Sequence, residues 1–217
     1  NTTARVTAVS AGSALLLDGS ATITVADGSQ DVDLLVSANL GTRNTSGQVI
    51  KRGAGTMRMT GTNSYTVGTW VLGGVLEIEH SRSLGSGAIA AEGGTLRYLG
   101  TGTDVSSRVF YANVTTNTYD IVNTNANLTF NSSGGTQGDS GARLFKIGAG
   151  QLTLGNVNLA SGAEVQQGTL QLGTSSGFGN AGGTVAISNN ATLHYYNPGS
   201  QVTIGNIFAG SGNLRFS

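Results

Sequence analysis

Few side chains in this 217-residue sequence could do chemistry. Asp31 and Asp33 stand two residues apart, so on a strand they share one face. Cleaving a glycosidic bond takes two carboxylates about 5–10 Å apart, a separation that i,i+2 positions can reach. No neighbouring Arg, Lys or aromatic side chain would hold a sugar, so solubilising a strand edge is the simpler role. Glu77 and Glu79 repeat the spacing, with Arg58 and Arg97 as their expected partners. His80 follows Glu79 and precedes Ser81 and Arg82. A nucleophilic triad would need a serine held by that histidine, so His80 is not expected to be catalytic. His194 takes the outward position that matches Arg97, a solvated place. Gly134-Gly135-Thr136-Gln137-Gly138-Asp139 has the look of one unit of a glycine-rich calcium loop. Such sites need several tandem copies to gather enough oxygen ligands, so a plain loop is predicted, with no metal and no cofactor.

Aromatic side chains are the better surface candidates. Trp70, Tyr111, Tyr119 and Tyr196 adjoin residues expected to point inward, which makes them candidate partner contacts. Trp70 is divided between turn packing and a contact surface. Tyr98, Tyr195, Phe110 and Phe130 are predicted to stack in the core.

The elements that must position these groups are short strands. Thr56-Met57-Arg58-Met59, Val75-Leu76-Glu77-Ile78-Glu79 and Thr95-Leu96-Arg97-Tyr98 each alternate apolar and charged residues, the pattern of a strand with one buried face. Their centres fall at Arg58, Glu77 and Arg97, a nearly even spacing. If each is one rung of a solenoid, Met57, Leu76 and Leu96 stack inside, as do Met59, Ile78 and Tyr98. Arg58, Glu77 and Arg97 then form an outer ladder of alternating charge. A one-residue slip would turn those charges inward, so the ladder sets register.

The stretch returns. Lys51-Arg52-Gly53-Ala54-Gly55 reappears as Lys146-Ile147-Gly148-Ala149-Gly150, an offset of 95. Gly74-Val75-Leu76 returns at Gly168-Thr169-Leu170, and Thr95–Tyr98 returns at Thr192–Tyr195. A long period built from shorter coils marks a quasi-one-dimensional array. The prediction is an all-β, single elongated domain over 1–217. Residues 1–50 read as the end of a preceding repeat, 51–145 as a full repeat and 146–217 as a partial second one. At about 4.8 Å per rung it would be a rod on the order of 50 Å long. Neither end reads as a solenoid cap, so a segment of a longer protein is expected.

Composition agrees. There are 35 glycines, one proline and no cysteine. Glycine permits the repeated corners of a coil, and the lack of cysteine excludes disulfides and thiolate metal sites. Eleven basic and eleven acidic residues balance, without a run of one sign, so no nucleic-acid partner is predicted. No apolar run approaches the length that a membrane-spanning helix needs.

The run from Lys51 to Ile89 resembles the passenger-associated repeat of bacterial autotransporters. The residues that carry it are Gly53-Ala54-Gly55-Thr56, Gly61, Asn63, Tyr65-Thr66, Gly68-Thr69, Val71, Gly74, Leu76, Ile78 and Leu84-Gly85-Ser86-Gly87. Val67 and Trp70 depart from it, and in the second copy the box around Asn63 has degenerated to Asn156–Gly162. The resemblance implies a right-handed parallel β-helix, secreted or on the bacterial cell surface, with an outer-membrane barrel expected in the full-length chain. It implies a non-catalytic stalk and folding unit with a role in adhesion to a host or bacterial cell-surface protein or glycan. The alternatives are a secreted effector or signalling ligand that binds a host receptor through its coil surface and, further off, a carbohydrate-active β-helix enzyme. On the solenoid reading Leu76→Asp should unfold neighbouring rungs, while Glu77→Ala should hardly matter.

Overall fold

The computed structural model describes residues 2–7, 13–43, 46–111, 116–131, 143–175, 180–199, 204–205 and 207–217. Parallel strands cannot be joined by a tight hairpin; the chain must travel around before it returns. Here it returns once per turn to one ten-stranded parallel sheet. The turn from Met57 to Leu76 is short, and the one from Ala4 to Leu34 is the longest. That sheet comprises Ala4–Val6, Leu34–Val36, Thr56–Met59, Val75–Ile78, Thr95–Tyr98, Asn117–Ile121, Leu144–Ile147, Ala163–Val165, Val185–Ile187 and Phe208–Gly210. The fold is a parallel β-solenoid, as the sequence predicts. Nine spacings of about 4.8 Å make the sheet about 43 Å long.

Two further sheets divide the length between them. In the N-terminal half, a five-stranded sheet (Ser20–Thr24, Gln48–Arg52, Gly68–Val71, Ala88–Ala90, Phe110–Tyr111) supplies the strand before each strand of the long sheet. From Thr103 on, a six-stranded sheet supplies the strand after it: Thr103–Ser106, Asn127–Asn131, Gln151–Gly155, Thr169–Leu172, Thr192–Tyr195 and Asn213–Phe216. Where the two overlap, Phe110, Tyr119 and Phe130 come one from each sheet. Their ring centroids lie 4.9 to 6.4 Å apart. All three are buried, so aromatic bulk fills the second of the two turns to which all three sheets contribute a strand.

The inward columns follow the predicted register. Met57, Leu76 and Leu96 stack in one, and Met59, Ile78 and Tyr98 in the other. The first five of these have no exposed surface and Tyr98 almost none. Each buried aliphatic contributes about 1.5–3 kcal/mol, repeated turn after turn. Asn63 adds a polar rivet: its Oδ1 accepts from Leu40 N (2.7 Å) and its Nδ2 donates to Ser83 O, tying three successive turns. Tyr65 lies buried beside it, its hydroxyl 2.6 Å from Thr69 Oγ1.

The repeat does not return to the same face. Lys51 lies in the five-stranded sheet and leads into Thr56–Met59 of the long sheet. Lys146 lies in the long sheet and leads into Gln151–Gly155 of the six-stranded sheet. The step from Lys51 to Lys146 therefore spans four full turns and one face more. The second copy is rotated by one face about the axis.

Candidate functional site

The outer ladder exists and is one rung longer than the sequence suggests. Glu77 accepts from Arg58 (2.7 Å) and Arg97 (3.2 Å), and Arg97 reaches on to Asp120 (2.7 Å). Glu77 is the hub, nearly buried between two arginines that are about a third exposed. Asp120 joins the ladder because the strand Asn117–Ile121 pairs in register with Thr95–Tyr98 and sets it beside Arg97.

The lysines of the repeat hold the second arrangement, which sequence patterning misses. Lys51 and Lys146 point into the core and have no exposed surface. Lys51 Nζ donates to Gly53 O (2.8 Å) and Gly55 O of its own corner, and to Gly73 O (2.9 Å) of the next turn. Lys146 Nζ donates to Ile147 O and Gly148 O (both 2.7 Å), and to Gln167 O (3.1 Å) of the next turn. Burial pulls Lys51 down to about 8, opposed by Asp33, and Lys146 to about 7, opposed by Asp120. Directly after each bridging carbonyl comes a glycine at positive φ, Gly74 (+58°) or Gly168 (+63°), seated on the Gly-Ala-Gly corner beneath. A Cβ at Gly74 would lie 2.5 Å from both Gly53 O and Gly55 O; one at Gly168 would lie 2.3 Å from Gly150 O. Lysine, corner and seated glycine form one clamp between successive turns. The signal is there to be read: a lysine at an inward position of an alternating strand must find acceptors or not fold.

The acidic pairs make no catalytic couple. Asp31 and Asp33 lie in the loop before Leu34–Val36, not on a shared strand face. Asp33 is a turn cap, its carboxylate accepting from Gly28 N (2.9 Å) and Thr56 N (2.8 Å). Glu77 takes both arginines, while Glu79 is exposed past the strand end. Glu79, His80, Tyr98 and Asp104 line a polar groove of about 700 Å³. Ser81 Oγ donates to Asp104 Oδ1 (2.7 Å) rather than to His80, whose Nδ1 faces the buried Ser83 Oγ at 3.3 Å. Burial, then the Asp104 carboxylate, push Tyr98 up to about 12. These contacts tie the turn Ser81–Leu84 to the next coil and relay no proton to a nucleophile. Residues 173–177 spell Gly-x-Ser-x-Gly, but the next described element is the strand Asn180–Ala181, not the helix a nucleophile elbow requires. His194 is not the solvated counterpart of Arg97. It sits in the six-stranded sheet, 7% exposed, with Nε2 2.7 Å from Ser217 Oγ, and burial and Arg215 lower its pKa. The glycine-rich run 134–139 lies outside the described residues.

The four aromatic candidates separate. Tyr119 is fully buried against Phe110 and Phe130, so it is a core residue and no surface contact; its strand register with Leu96 turns it inward. Tyr196 is half-buried beside His194, edge-on at 6.1 Å. Trp70 lies in a strand rather than a turn, and with Tyr111 it shares the outer face of the five-stranded sheet.

A family model described as the passenger-associated-transport-repeat matches residues 49–78 and 144–172. Neither curated proteins nor solved structures gave a match. Both matched stretches contain a lysine clamp and its seated glycine.

Proposed function

We propose that this chain, which carries the passenger-associated-transport repeat twice on a parallel β-solenoid, is a non-catalytic passenger segment of a secreted or cell-surface protein of the autotransporter kind. Its role is that of a stalk and folding unit, with adhesion to a neighbouring cell as the wider purpose. One observation carries this reading: the residues that define the repeat are consumed in stacking one turn on the next. Lys51, Gly53, Gly55, Asn63, Tyr65, Thr69 and Gly74 all face another stretch of this chain. A motif that served a substrate would leave some of its polar groups free to meet one. A secreted effector that binds a receptor through its coil surface is the second reading, favoured by Trp70 and Tyr111 standing on one face.

The test is export. In cells that secrete the parent protein, Gly168→Ala and Lys51→Met should each cut the protease-resistant chain at the surface severalfold, while Arg97→Ala leaves it unchanged. Full display of both clamp variants would contradict the folding role.

A further inference from the structure

We infer that the outer face of the five-stranded sheet at Trp70 and Tyr111 is a stacking platform for an uncharged glycan. The inference deepens the adhesive reading above and rests on it. Strand register sets Ile50, Trp70, Ala90 and Tyr111 in one outward row, each beside the next. The alternate positions, Val49, Thr69, Ile89 and Phe110, are buried inside. Trp70 and Tyr111 are half-buried and two strands apart, about 9.6 Å, and the small Ala90 in the row between them has no exposed surface. The indole lies back across its own strand: a Cβ at Gly68 would meet Cζ3 of Trp70 at 2.5 Å and Cη2 at 2.9 Å. A bare glycine two residues before the tryptophan is what lets the ring lie down.

A ring laid back on a sheet offers a face, where the anchors of protein interfaces insert into pockets. Ring faces carry negative charge density and attract the polarised C–H groups of a pyranose. Chemistry around the rings fits the same ligand. Among the described outward residues of these five strands, Arg52 is the one charge. Ser20 and Gln48, joined by an exposed hydrogen bond, offer hydroxyl and amide groups to sugar hydroxyls. Anionic glycans and nucleic acids would need a basic rim that this face lacks.

Trp70 is the chain's single tryptophan, so its fluorescence reads the platform directly. The whole 217-residue chain is titrated with cellohexaose, chitohexaose and maltohexaose. At least one should give a saturable change in emission. By calorimetry, Trp70→Ala should weaken that binding about tenfold or more. Tyr111→Ala should weaken it severalfold and Tyr196→Ala not at all, with circular dichroism and thermal melts unchanged. No saturable change with any of the three by a folded chain overturns the inference, as does affinity that survives Trp70→Ala. Binding of heparin that fades with salt, in place of the neutral sugars, overturns it too. Either failure leaves the stalk reading standing, because that reading is decided by export of the clamp variants.

Discussion

Gly74→Ala should unfasten the corner between two turns, and two other glycines measure how much of the loss is contact. Gly102 has open space around its Cβ direction, so alanine there only stiffens the unfolded chain and stabilises by about 0.4–1 kcal/mol. Gly93 has φ +82° but no atom nearer than Leu72 O at 3.8 Å. Its alanine variant meets left-handed strain of about 1–2 kcal/mol, partly offset by the same unfolded-state term, for a net loss of about 1 kcal/mol. Gly74 combines φ +58° with three backbone carbonyls at 2.5 to 2.6 Å from the new methyl. Backbone cannot rotate away as a side chain can, so overpacking adds about 1–3 kcal/mol and the loss should reach about 3 kcal/mol. Solenoids need not unfold in one step, so the local readout is amide exchange. Leu72 N, bonded to Lys51 O, and Thr95 N, bonded to Gly74 O, should exchange about a hundredfold faster in Gly74→Ala. They should change about fivefold in Gly93→Ala and little in Gly102→Ala. If Gly74→Ala is no worse than Gly93→Ala, the seated corner is not there.

Two other outcomes follow from the clamp and the ladder. Lys146 is lowered to about 7 by burial, with Asp120 opposing, against an ordinary 10.5. Between those values the unfolded chain binds more protons, so stability rises with pH across that window. Melting temperature should climb from about pH 7 to about pH 10, and in Lys146→Met the climb should begin about one unit later, set by Lys51 near 8. A flat profile would mean that neither amine is desolvated. At the ladder, Glu77→Ala removes two ion pairs worth about 0.2–1 kcal/mol each, an effect that should shrink in high salt. Leu76→Asp puts an unpaired charge among Met57 and Leu96 and should unfold the adjoining turns; equal damage from both substitutions in thermal melts would refute the assigned facing.

Much of this is legible from alternation. In Thr56–Met59, Val75–Ile78 and Thr95–Tyr98 a buried residue follows an outward one, and the near-even spacing of the three strands decides which rung meets which. Alternation fails where polar groups are buried on purpose. Lys51 and Lys146 mark the repeat, but their clamp is not legible in apolar–polar alternation, because the acceptors are backbone carbonyls of their own corner and of the next turn. Asp33 reads as half of an acid pair and is a turn cap. Placing His194 by its position in the repeat silently assumes that both copies share a face. The rotation by one face comes from turns of unequal length between the copies, short from Met57 to Leu76 and longer from Tyr119 to Lys146, a sum that local motifs do not encode. Tyr119 shows the same weakness at smaller scale: the strand Asn117–Ile121 sets it in register with the inward Leu96, which turns a surface candidate into core.

The stacking of turns, and the rotated phase of the second repeat, can be tested with one pair of cysteines. The chain has none of its own. Thr118 and Phe145 are in-register neighbours on the outer face of the long sheet, both partly exposed, at a parallel-strand spacing of about 4.8 Å that a disulfide can bridge. Had the second repeat returned to the face of the first, Phe145 would continue the row of Ile50, Trp70 and Ala90 and lie beside Tyr111 instead. Under mild oxidation Thr118→Cys/Phe145→Cys should close fully without loss of β-structure, while Tyr111→Cys/Phe145→Cys stays reduced. Closure of the second pair and not the first would contradict the register, and with it the clamp and every surface derived from it.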